Sequence, residues 1–212
     1  MTVVAGALLM ALRAVTWIAR LPLALRALVR EPVTAVVRVD GRVLRDSDGQ
    51  PVAPPDALAR VLRRAADVFA EQARVHLVLG DVEVVDGAAP PAALRPPCNA
   101  PALVHALSPA GRYLRRQAVP GGVTVVAVDV MAPGRRTAGC SLGPLADHVV
   151  VGRSGLPGRD GLTAAHELGH ALGLSHLGAT GTLMQPGPAG RRPSLHRWQV
   201  ALLRASRHLR PA

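Results

Sequence analysis

Lysine is absent from the 212 residues, and isoleucine, asparagine, tyrosine and phenylalanine occur once each. The whole basic complement is therefore arginine. The formal net charge of +11 reads first as the mark of a chain written in GC-rich codons, and only second as selection for an anionic partner. Aromatic residues make up 2% of the chain, so stacking platforms for bases are scarce. The arginines are scattered rather than striped, and composition argues against a nucleic-acid binder. Cysteine is also scarce. Cys98 and Cys140 leave room for one disulfide in an oxidising compartment, or for two buried thiols. There is no internal repeat. No clean apolar run approaches the roughly 20 residues of a membrane-spanning helix, the longest being Val3 to Leu12.

The length suits one good core with an appendage. Residues 1–31 are the appendage: strongly apolar, yet interrupted by Arg13, Arg20 and Arg26, which fall close to one helical face, with Trp17 among them. Three readings stay open: an atypical signal or anchor, an amphipathic helix touching a membrane surface through residues 1–30, and a helix docked on the body. The body is residues 32–212.

Within the body, Thr34 to Leu44 alternates and is rich in valine, which predicts a strand with a turn or bulge at Gly41. Apolar residues Leu58, Val61, Leu62, Ala65, Val68 and Phe69 recur at helical spacing, predicting a helix from Asp56 through Gln72. Val75 to Val85 returns to strand character, and His76 reads as an ordinary strand residue. From Gly87 to Pro120 proline, alanine and glycine dissolve the pattern, predicting a long loop with a short helical piece near Leu103 to Leu107. Gly122 to Met131 and His148 to Gly152 read as buried strands, and Arg135 to Leu142 as a short edge strand. A helix follows from Leu162 to Leu172. A last helix is expected from Pro193 and Ser194 to about Leu209.

The chemistry is concentrated in His166-Glu167-Leu168-Gly169-His170-Ala171-Leu172-Gly173-Leu174-Ser175-His176. Residues four apart on a helix lie one turn above each other, so His166 and His170 point from one face. Two imidazoles there can grip one ion at about 2.0–2.1 Å, the usual zinc–nitrogen distance. Glu167 is swung off that face and suited to holding a water. Gly173 permits the positive φ that ends the helix, which would carry His176 back as third ligand and leave a fourth position open. An open position separates a catalytic zinc from a structural one.

H-E-x-x-H-x-x-G-x-x-H resembles the signature of the metzincin clan of zinc endopeptidases. Gly181-Thr182-Leu183-Met184-Gln185-Pro186 resembles the methionine turn that follows it in that clan, with Pro186 leaning toward the matrixins. The resemblance implies an α+β, zincin-like fold: a twisted, mostly parallel sheet with backing helices, an active-site helix, and a small C-terminal subdomain ending in a helix. It further implies one catalytic Zn²⁺ held by His166, His170 and His176, with Glu167 as general base and acid and Met184 as a floor beneath the metal. The implied substrate is a peptide or protein, taken by a monomer that is secreted or membrane-associated. Arg95 to Pro101 faintly echoes the matrixin cysteine switch, but it follows the first strands and lacks the glycine after cysteine. The competing expectation is a catalytically silent zinc-fold binding module or membrane-surface scaffold.

Overall fold

The structure, a computed structural model, describes residues 34–97, 102–131, 138–141, 146–156, 161–176, 181–185 and 194–211. The N-terminal segment expected at residues 1–31 lies outside them. Among the described residues no helix is long and apolar enough to cross a membrane.

Strand β1, Ala35–Arg45, forms where the valine alternation predicted it. A tight turn follows, in which the Asp46 carboxylate accepts from the Asp48 and Gln50 amides at 3.0 and 2.9 Å. Helix α1, Pro55–Ala73, then buries Leu58, Val61, Leu62, Ala65, Val68 and Phe69 along one stripe, the helical period read in the sequence. Burying an aliphatic or aromatic side chain of this kind stabilises by roughly 1.5–3 kcal/mol, so this stripe fixes α1 to the sheet. Strand β2, Val75–Ala88, returns parallel to β1. At Gly41 the β1–β2 register shifts, and a Cβ there would come within 2.8 Å of Val82 Cγ2. The expected bulge glycine is thus also a close-packing glycine.

The segment from Gly87 to Pro120 departs from expectation. Instead of a long loop with one helical piece it carries three helices: α2 (Pro91–Leu94), α3 (Ala102–Leu107), which is the piece expected near Leu103 to Leu107, and α4 (Pro109–Arg116). The prolines that suggested a loop sit in the first turn of α2 and α4, where a missing N–H costs nothing. Ser108 caps α4 by accepting from the Gly111 amide at 3.0 Å. Wholly buried strand β3, Val123–Val128, comes next, then β4 (Gly139–Ser141) and the equally buried β5 (His148–Gly152). Helix α5 spans Leu162–Ala171 and α6 Arg197–Arg204. Residues Arg210–Pro211 form a terminal strand, β6.

The last helix is shorter than predicted. Ser194 is drawn into a bridge with Thr182, its carbonyl accepting from the Leu183 amide at 2.9 Å. The helix therefore starts after His196, whose amide donates to Gln199 Oε1 at 2.9 Å. Arg204 ends α6 and donates to the Ala73 carbonyl at 3.2 and 2.8 Å, satisfying an acceptor that the end of α1 leaves open.

The sheet order is β2-β1-β3-β5-β4, with β6 beside β1. β2, β1, β3 and β5 run parallel; β4 is antiparallel to β5 and β6 to β1. This is the mixed α/β, mostly parallel architecture expected. Side-chain alternation assigns the faces. Gly41 meets Leu58 of α1, and Gly139 meets Thr163 and Glu167 of α5, so α1 and α5 cover one face. Thr124 and its register partner His148 point to the other. There the Thr124 hydroxyl accepts from the Val119 amide.

Candidate metal centre

Helix α5 crosses the sheet beside the β4 edge and presents His166 and His170 from one face, both partly buried. At its end Gly173 takes φ 105°. The Gly173 amide donates to the His170 carbonyl at 3.0 Å and the Leu174 amide to the Gly169 carbonyl at 2.8 Å. That paired pattern closes a helix with a left-handed residue. It turns the chain so that His176 comes back over the helix.

The outcome is one constellation. His166 Nε2 and His170 Nε2 each lie 3.1 Å from His176 Nε2. Ligands at about 2.05 Å in tetrahedral array stand about 3.3 Å apart, so the spacing fits one small cation. The opposite ring atoms settle the tautomers. His166 Nδ1 lies 2.7 Å from the Leu183 carbonyl and His170 Nδ1 2.9 Å from the Leu174 carbonyl. A carbonyl only accepts, so both Nδ1 atoms carry hydrogen. In the neutral rings each Nε2 lone pair is then left aimed at the common point, the arrangement of metal-ligating histidines. The donor set, three imidazole nitrogens without thiolate, suits zinc. The other five histidines, at positions 76, 105, 148, 196 and 208, stand outside this group.

Electrostatics favour the neutral rings. Burial lowers the His166 pKa, against the Leu183 hydrogen bond and with His176 adding to the depression. Burial lowers that of His176 as well. Glu167 is buried beside the group, and burial pushes its carboxyl up to about 8. A dication at the imidazoles acts in the opposite sense.

Met184 is fully buried below the helix. Its turn is held by the Gln185 amide on the Thr182 carbonyl at 3.1 Å, and by the Gly181 amide on Gln185 Oε1 at 2.7 Å. Pro186 lies outside the described residues. A Cβ on Gly169 would lie 2.6 Å from Met184 Sδ, so the methionine rests directly on the helix backbone between the two ligands. Cys140, on β4, is disulfide-bonded, whereas Cys98 lies outside the described residues.

Three contributors had no residue-type signal in the sequence. The Leu183 and Leu174 carbonyls orient imidazoles through the backbone, which any residue offers. Gly169 is needed for want of a side chain, and a glycine inside a helix signals such packing only weakly.

No protein-family model and no curated protein matches the chain. Among solved structures, archaemetzincin from Archaeoglobus fulgidus, complexed with malonate, aligns with a TM-score of 0.50 at 16% identity. That alignment covers 78% of this chain and 99% of that one. Metalloproteinase-II from Bacteroides fragilis aligns with a TM-score of 0.52 at 16% identity. It covers 84% of this chain but 55% of that protein. At such identities the likeness is one of fold alone; in this chain the fold carries a His166, His170 and His176 group that could hold zinc.

Proposed function

We propose that the protein is a zinc-dependent endopeptidase, with His166, His170 and His176 as ligands and Glu167 as general base and acid. The observation that carries this reading is the convergence of three Nε2 atoms whose rings are oriented by the Leu183 and Leu174 carbonyls. Zinc held there would acidify a water and polarise the scissile carbonyl. Glu167 takes the proton from the attacking water and passes it to the departing amide nitrogen, so the carboxylate is regenerated each turnover. Met184 gives the site a rigid apolar floor. The antiparallel edge strand β4 offers backbone groups beside α5, where an extended peptide would pair by strand addition.

The finer parts of the reading belong here too. The methionine turn leans matrixin-like. The Cys140 disulfide supports pairing with Cys98 in an oxidising compartment, consistent with a secreted or membrane-associated protein. The catalytic domain would be residues 32–212, acting as a monomer on peptides and not on nucleic acid, with residues 1–31 as an N-terminal apolar segment that serves as an anchor, an atypical signal or a docked helix.

Cleavage-site profiling on a broad peptide library, with and without chelator, tests the proposal. The zinc-loaded protein should cleave, chelator should abolish cleavage, and Glu167→Ala should keep stoichiometric zinc while losing about 10²–10⁴ in rate. Bound zinc without turnover would identify a binding module instead. Hydrolysis retained by Glu167→Ala would remove the base assignment.

A further inference from the structure

Gly139 is the buried first residue of β4 and faces helix α5. Its φ lies outside the left-handed region, so conformation does not demand glycine; space does. A Cβ at this position would lie 2.8 Å from Glu167 Cγ, 3.0 Å from Thr163 Cγ2 and 3.0 Å from the Val150 carbonyl oxygen. Two of the three neighbours belong to α5, and one is the methylene carrying the Glu167 carboxyl. The third is backbone of a central strand and cannot yield.

Strand β4 has little room to retreat. Gly139, Cys140 and Ser141 are in register with Val151, Val150 and Val149, and the Gly152 amide donates to the Ala138 carbonyl at 2.8 Å. On the same stretch a Cβ at Gly155 would stand 2.9 Å from the Ala138 oxygen, so a second glycine lets the chain close in. The partner able to move under an added methyl is the Glu167 side chain.

We propose that Gly139 is a positioning residue for Glu167: the bare backbone of the edge strand forms the wall against which the carboxyl is set. This deepens the peptidase reading and rests on it. A methyl group at 139 displaces the Glu167 carboxyl while leaving both the imidazoles and the substrate-pairing edge in place. Misplacing a reacting group by about 1 Å costs on the order of 10²-fold in rate, so the loss falls on kcat.

The test compares wild type, Gly139→Ala, Glu167→Ala and the double variant, reading kcat, KM, zinc affinity and Tm. For Gly139→Ala we expect kcat to fall by roughly ten- to hundredfold, with KM and zinc affinity unchanged. Its Tm should fall by a few degrees in the wild-type background and by much less in Glu167→Ala, where the Cγ it would meet is gone. If Gly139→Ala alone does not fold, the double variant should. Unchanged kcat, a rise in KM alone, a parallel loss of zinc affinity, an equal Tm loss in both backgrounds, or misfolding in both would each overturn the inference. Absence of turnover by the zinc-loaded wild type would instead overturn the peptidase reading, and this inference with it.

Discussion

Acid should destabilise this fold through a histidine remote from the metal helix. His148 opens β5, is 3% exposed, and neither of its ring nitrogens has a hydrogen-bond partner. His105, from α3, is equally buried and equally unpartnered. Burial is the largest cause that brings the His148 pKa down from 6.5 to about 4, with His105 and Arg115 pushing the same way and Asp147 opposing. Because the folded pKa lies below the unfolded one, the unfolded chain binds more protons between these values and stability rises with pH there. The contribution is fully present above pH 6.5 and is lost as pH falls toward 4. A shift of this size corresponds to about 3 kcal/mol in full, of which about 2 kcal/mol is lost between pH 7.5 and 5.0. That is a large part of a net stability of order 5–15 kcal/mol. Urea denaturation with chelator present, so that metal release does not contribute, measures it. Buried Glu167, raised to about 8, acts in the opposite sense in both proteins, so His148 is read from the difference: on acidification over this range wild type should lose about 2 kcal/mol relative to His148→Leu. Equal pH slopes in the two proteins would refute the assignment to His148.

Three further outcomes follow from the site. Gly169→Ala places a methyl group against Met184 Sδ, which a Cβ would approach at 2.6 Å; overpacking of this kind costs about 1–3 kcal/mol, read as a lower denaturation midpoint. Gly173→Ala forces an L side chain to φ 105°, a strain of about 1–3 kcal/mol. It should weaken zinc binding in a competition titration, because the same turn delivers His176. Ser141→Pro, on the edge strand, should raise KM for extended peptides with little change in zinc affinity; unchanged KM would remove β4 as the substrate strand.

What could be read in advance had a residue-type or periodic signature. Helix α1 showed its apolar stripe, β3 and β5 their valines, and the metal helix its three imidazoles around a terminal glycine. Helices α2 and α4 did not, because proline in a first helical turn looks the same as proline in a loop until the chain around it is placed. The shortened α6 and the added β6 depend on tertiary partners: Ser194 is taken by the Leu183 amide, and Arg210 and Pro211 by the start of β1. The carbonyls behind the imidazoles and the close approach at Gly139 are backbone geometry, and side-chain identity carries no trace of them.

X-ray absorption at the zinc edge addresses the central claim most directly. One zinc per chain, surrounded by three imidazole nitrogens at about 2.0–2.1 Å and a single light atom from solvent, is the predicted result. A sulfur neighbour, a fourth protein side chain closing the site, or no stoichiometric zinc at all would contradict it.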